Sequence, residues 1–154
     1  MGLRSRIGYF GMVGLFVVGL MGCQGSKAVD AKGLCENLHK KGVADNCKPA
    51  DAAQNGVTRK EAMQFTVKFA DEIAYGGQVM VFNTPGDLDA YKQAADEKQR
   101  EYIKANKLES LADRQMPRHF ENRERLLLVT LLPGPAVGKV DVKLKEISGV
   151  IAAQ

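Results

Sequence analysis

An apolar run from Ile7 to Leu20, preceded by Arg4 and Arg6, sets where a folded domain can begin in this chain. The run is shorter than the roughly 20 apolar residues that a membrane-spanning helix needs. It is also interrupted by residues that weaken a helix, namely Gly8, Gly11, Gly14 and Gly19. A positive start, an apolar centre and small residues at the end are typical of a cleaved export signal. The fold is therefore expected in the residues that follow.

The run ends in Leu20-Met21-Gly22-Cys23, which resembles the lipobox of bacterial lipoproteins. This resemblance implies that Cys23 receives a diacylglyceryl group, that cleavage occurs before it, and that its new amine is usually acylated. Two or more acyl chains anchor a protein stably to a membrane. Gln24 is not the aspartate that commonly retains such proteins in an inner membrane. The resemblance thus implies an outer-membrane location facing the periplasm in a cell with two membranes.

We predict a signal peptide over 1–22, a lipidated tether over 23–31 and one domain over 32–154. The formal net charge of the whole chain is +4, and Arg4 and Arg6 belong to the signal. The exported part is therefore close to neutral, and its cations alternate with acids, so nucleic-acid binding is not predicted. The chain has no tryptophan and only 6% aromatic residues, which argues against a platform for stacking sugars or bases.

The chain has 3 cysteines, and the lipid would occupy Cys23. The remaining pair, Cys35 and Cys47, is predicted to form a disulfide, because exported proteins fold in an oxidising compartment. The alternative is a metal site made of Cys35, His39 and Cys47, since residues four apart share a helical face. That site has no clear fourth ligand, so we predict no metal and no cofactor.

Apolar periodicity and turn residues divide the rest of the chain into helices and strands. Thr84 and Pro85 give the clearest start, as an N-cap followed by proline at the first helical position. We predict a helix over 31–43, strands over 61–69 and 78–83, a helix over 84–105, a central strand over 126–132 and a helix over 137–151. The fold class is α+β, with a small three-stranded antiparallel sheet packed with helices in the order α-β-β-α-β-α.

Two of these segments have a second interpretation. Thr58 and Glu61 could form a capping box for a helix through Ile73, although alternating polarity favours a strand. The segment 139–147 could form a strand rather than a helix. Between them, the charged segment 113–125 is predicted to be irregular.

The sequence has no Gly-rich phosphate loop, no Gly-x-Ser-x-Gly and no His-Glu-x-x-His, so no catalytic residues are predicted. The main hypothesis is a non-enzymatic interaction or assembly module at the cell envelope, with an envelope protein as its possible partner. The alternative is a small periplasmic enzyme or ligand-binding protein that uses His119 or His39, since histidine titrates near neutral pH.

The anchor and the disulfide predict a specific mass for protein extracted from membranes. Intact-mass spectrometry should give the mass of the chain starting at Cys23 plus acyl chains. Thiol alkylation should add two groups only after reduction, at Cys35 and Cys47. An unacylated mass would contradict the anchor, and two thiols alkylated without reduction would contradict the disulfide.

Overall fold

A five-stranded antiparallel sheet lies at the centre of the computed structural model, which describes residues 30–69, 74–132 and 137–154. Its spatial order is β1 (Asp45–Pro49), β4 (Glu61–Lys68), β5 (Ala74–Val81), β7 (Leu127–Leu131) and β6 (Arg118–Asn122). A separate hairpin consists of β2 (Ala53–Gln54) and β3 (Val57–Thr58). The helices are α1 (Ala31–Lys40), α2 (Pro85–Ala105), the short α3 (Ala112–Gln115) and α4 (Val137–Ala152), with a 3₁₀ turn at Glu109–Leu111.

The domain is α+β, but the predicted three-stranded sheet and the order α-β-β-α-β-α are wrong. The three predicted strands correspond to β4, β5 and β7, and the structure adds β1 and β6 at the two edges together with the small hairpin. The strand predicted to be central, β7, lies between β5 and β6, and β5 occupies the middle of the sheet. An edge strand is covered on fewer sides, so its sequence does not need the apolar pattern by which inner strands are recognised.

Strand pairing and helix bounds decide between the two interpretations of the segments 61–69 and 137–151. β4 pairs along its whole length with β5, so the strand prediction for 61–69 is confirmed and the helical alternative is wrong. The helix predicted over 137–151 is confirmed as α4, so the strand alternative there is wrong. The segment 113–125 is not irregular throughout, since it contains the end of α3 and all of β6.

One face of the sheet is covered by α1 and α4. α1 begins where the Asp30 side chain accepts a hydrogen bond from the Lys32 amide, and it buries one apolar stripe. This stripe and that of α4 pack on the apolar residues that β4, β5 and β7 direct to the same face. The core residues of this layer include Leu34, Leu38, Phe65, Val79, Val129 and Ile147, each at most 2% exposed.

The opposite face is covered only in part, by α2. The helix starts as predicted, with Thr84 accepting a hydrogen bond from the Asp87 amide at 3.1 Å. Its first turns carry Leu88 and Tyr91, which pack with Met80 and Leu128 of the sheet in a second apolar cluster. Beyond Tyr91 the helix continues along the sheet without closing against it, and a cleft remains between them.

The disulfide between Cys35 and Cys47 joins α1 to the edge strand β1, consistent with the predicted pair. The predicted signal and the lipid-attachment residue Cys23 lie outside the described residues. Within the parts of the chain that the structure describes, no helix is long and apolar enough to span a membrane.

Two glycines in different surroundings provide a test of the packing. A Cβ at Gly77 would lie 2.6 Å from ring atoms of Phe65 and 2.8 Å from Leu131 Cδ2, whereas a Cβ at Gly149 in α4 would meet nothing within 4 Å. Gly77→Ala should lower the free energy of unfolding by about 1–3 kcal/mol through overpacking. The matched control Gly149→Ala should raise it by up to about 1 kcal/mol through helix propensity.

Urea unfolding of the full chain, followed by circular dichroism, measures both changes. Equal effects of the two substitutions would contradict the close packing of Phe65 on β5.

Candidate binding cleft

A row of polar side chains crosses the whole sheet on the face that α2 partly covers. In register, Lys48 lies opposite Gln64 and Gln64 opposite Gln78. Gln78 in turn lies opposite Thr130, which lies opposite His119. Directly opposite residues on neighbouring strands point to the same face. The row therefore runs from one edge strand to the other.

This row forms part of the floor of a cleft of about 660 Å³, and α2 forms one wall. The Leu132 side chain packs directly over Gly76 in this floor, since an added Cβ would come within 2.9 Å of Leu132 Cδ1. The size falls in the range of small-molecule sites. The lining is rich in side-chain amides: Asn46, Gln54, Asn55, Gln64, Gln78 and Gln99.

Cations and hydroxyl groups complete the polar lining of the cleft. The cations are Lys48 from β1 and Lys98 from α2. The hydroxyl groups belong to Thr66, Tyr91, Tyr102 and Thr130. Among the residues that the structure describes, no carboxylate lines the cleft. The site can thus offer many hydrogen bonds together with positive charge.

A buried arginine lies behind this lining. Arg59 is 2% exposed, and its Nη1 donates to Gln78 Oε1 at 2.9 Å. Its Nη2 donates to the main-chain carbonyl of Asp51. Its guanidinium lies over the ring of Tyr91, 5.6 Å from the ring centre, and its Nε has no hydrogen-bond partner. The cation is therefore held by neutral groups and an aromatic ring.

Tyr91 connects the arginine to the cleft. Its hydroxyl donates to Gln54 Oε1 at 3.2 Å and lies 3.5 Å from Gln78 Oε1. Burial raises the pKa of Tyr91 above its ordinary value, and the positive charge of Arg59 partly opposes this rise. Burial likewise lowers the pKa of Arg59, with the negative charge of Asp51 among the influences that oppose it. Since arginine starts from a very high pKa, it stays protonated at neutral pH.

His119, a predicted candidate, is placed between the sheet and α2. Its Nδ1 lies 2.9 Å from Thr130 Oγ1, and its Nε2 lies 3.2 Å from Asp96 Oδ1. The carboxylate can only accept, so Nε2 carries a proton and a neutral ring accepts the Thr130 hydroxyl at Nδ1. The order of hydroxyl, imidazole and carboxylate is that of a nucleophile with its base.

The surroundings of Thr130 do not complete a catalytic site. Acyl transfer needs hydrogen-bond donors for the developing oxyanion, commonly backbone N–H groups. β7 lies between β5 and β6, so its backbone donors are used in the two ladders. The hydroxyl itself belongs to a residue only 8% exposed. The three groups connect α2 to β6 and β7.

Ion pairs reinforce this attachment of α2 to β6 and the turn after it. Lys92 contacts Glu121 at 2.6 Å, and Arg123 contacts Asp89 at 2.6 Å. The hydrogen bond from Lys92 holds the pKa of Glu121 below its ordinary value. Together with the contact of His119 with Asp96, these pairs fix the wall of the cleft at one side.

The other predicted site residues lie elsewhere. His39 lies in the last turn of α1 and is largely exposed. Its Nδ1 is 3.1 Å from the Ala44 carbonyl oxygen and 3.4 Å from Asp45 Oδ1. The alternative metal site is not assembled, because the sulfurs of Cys35 and Cys47 are bonded to each other and are not thiolates. Within the described ranges, no group of three His, Cys, Asp or Glu side chains could hold a metal ion.

The sequence did not predict the polar residues of the cleft or the buried arginine behind them. Arg59 lies inside the possible capping box of Thr58 and Glu61, and no local pattern marks it as buried. The alternation of polar Gln64 and Thr66 with apolar neighbours is the available signal, since it indicates one polar face on β4.

Comparison of the chain with protein-family models, with curated proteins and with solved structures found no match.

The buried cation can be tested through the ionisation of its neighbour. Arg59→Met should raise the pKa of Tyr91 further, because it removes the charge that opposes the effect of burial. The measurement is an NMR titration of the full chain with ¹³C at Cζ of tyrosine. Arg123→Met removes a cation that pairs with Asp89 and Glu121, and it should leave the pKa of Tyr91 unchanged. An unchanged or lower value in Arg59→Met would contradict the contact.

Proposed function

We propose that this protein is a cell-envelope lipoprotein, anchored to a membrane through Cys23, whose domain is a non-enzymatic binding module. The observation that supports a binding module is the cleft of about 660 Å³ with its convergent polar groups. Sites of this kind, concave and with a few placed polar groups, are the usual places where small ligands bind. The module takes a ligand in this cleft, and an envelope protein is its expected partner.

The position of the cleft relative to the tether supports this assignment. The described chain starts beside the first residue of β4, where the Ala31 amide donates to Glu61 Oε2 at 2.8 Å. The cleft includes Gln64 and Thr66, farther along the same strand. At about 3.3 Å per residue, they lie roughly 10 Å and 16 Å from Glu61. α1 packs on one face of the sheet and the cleft lies on the other, beside α2. An anchor before α1 therefore leaves the cleft open to a ligand.

A second candidate function is hydrolysis with Thr130 as nucleophile, His119 as base and Asp96 as its orienting carboxylate. The distances of 2.9 and 3.2 Å favour it. The interior position of β7 weakens it, because donors for an oxyanion are already used within the sheet. Asp96→Asn separates the two functions: it removes the orienting carboxylate, keeps an oxygen that can accept from His119 and changes no residue that lines the cleft. Hydrolysis should fall, and ligand binding should stay.

The binding function is tested by blocking the cleft. Gln99 lines the cleft from α2, whereas Gln93 is exposed on the same helix and does not line it. The full chain in detergent would be screened by saturation-transfer NMR against neutral sugars, amino acids, dipeptides, organic acids and phosphate esters. We expect ligands that receive saturation from wild type and from Gln93→Trp, but not from Gln99→Trp, whose indole fills the cleft.

The proposal would be contradicted if no compound received saturation, or if Gln99→Trp and Gln93→Trp behaved alike. Circular dichroism of both variants checks that the fold is retained.

A further inference from the structure

Two amide groups of the cleft are oriented by the groups behind them. Arginine only donates hydrogen bonds, so the atom of Gln78 that faces Arg59 must be the carbonyl oxygen. The carbonyl oxygen of Gln54 accepts a hydrogen bond from the Tyr91 hydroxyl. The NH₂ groups of both glutamines are then left as the ends available to a ligand. Two neighbouring positions of the lining thus present donors.

The charged side chains that line the cleft are positive. They are Lys98 from α2 and Lys48 from β1, and among the described residues no carboxylate lines the cleft. Arg59 contributes a third positive charge from behind, which the negative charge of Asp51 partly offsets. The Nε of Arg59 has no hydrogen-bond partner. A buried charge is normally paired, because leaving water without a counter-ion is costly, so an anion in the cleft would add to this compensation.

We propose that the cleft binds ligands carrying an anionic oxygen group, a carboxylate or a phosphate, held by the side-chain amides of Gln54 and Gln78, with Lys98 of the same lining adding positive charge. This inference rests on the proposed function and names the ligand chemistry of the same cleft. An ionised carboxylate or phosphate only accepts hydrogen bonds, so it matches a surface of donors. Hydrogen bonds to a charged acceptor are roughly twice as strong as neutral ones.

The rest of the lining indicates what the remainder of the ligand is like. Asn46 donates to Thr66 Oγ1 at 3.1 Å, so its carbonyl oxygen stays available as an acceptor. Gln64 and Tyr102 add groups that both donate and accept. The ligand therefore carries its charge at one end and neutral polar groups, such as hydroxyls or amides, along its body.

The probes for this inference are inorganic phosphate and acetate, which need no recognition of a ligand body. Each would be titrated into the ¹⁵N-labelled full chain at constant ionic strength, adjusted with sodium chloride. We expect saturable shifts of the side-chain amide signals of Gln54 and Gln78. A response to phosphate alone or to acetate alone assigns the anionic group as phosphate or carboxylate.

Two pairs of variants test the origin of the affinity. Lys98→Gln should weaken binding roughly two- to fivefold, the effect of one partly exposed charge, while Lys104→Gln, outside the cleft on α2, should not. Gln78→Glu should abolish the saturable shift of Gln54, because it gives Arg59 a carboxylate and removes a donor. Gln93→Glu adds the same charge outside the cleft and should leave binding unchanged.

Absence of saturable shifts with both anions would overturn the inference. Equal weakening of binding by Lys98→Gln and Lys104→Gln would also overturn it, because it would indicate a general effect of net charge rather than a site. Failure here differs from failure of the proposed function. If neutral compounds still receive saturation that Gln99→Trp abolishes, the cleft binds ligands but does not select anions. If no compound of either kind binds, both proposals are wrong.

Discussion

The alternation of side chains along three inner strands is the constraint on which this structure depends. β4, β5 and β7 each send apolar residues to one face, and β5 and β7 also send Met80 and Leu128 to the other. A sheet that is apolar on both faces needs two helical layers. α1 and α4 complete the first layer, and α2 supplies the second. Every other feature, the cleft included, follows from how far α2 extends that second layer.

The cleft exists because α2 makes apolar contacts with one part of this sheet face and polar contacts with another part. The large apolar residues by which α2 packs in this cluster are Leu88 and Tyr91. Beyond them, β4 and β5 carry glutamine, threonine and glycine on this face instead of large apolar residues. The helix is held there by polar contacts with β6, through Asp96 to His119 and Lys92 to Glu121. A space remains where neither kind of contact is made. Its wall is thus positioned by groups that do not line the cleft themselves.

The inner elements of the fold could be predicted from the sequence, and the outer ones could not. Long helices and inner strands bury enough surface to require periodic apolar residues, as the capped start of α2 shows. β1 contains Asn46, Cys47 and Lys48, and every residue of β6 is half-buried, so neither shows the alternation of an inner strand. The site was missed for a related reason. Arg59 and Gln78, the amide that it orients, lie 19 positions apart, and no local pattern connects them.

The attachment of the edge strand also affects how copies of this domain can meet. An exposed strand edge presents unpaired N–H and C=O groups that can pair with another chain. β1 resists such pairing, since Pro49 has no N–H, Lys48 is charged, and its register is interrupted between Asp45 and Lys48. The bond from Cys35 keeps that strand from detaching and exposing β4. This edge of the sheet is therefore protected against strand-to-strand aggregation.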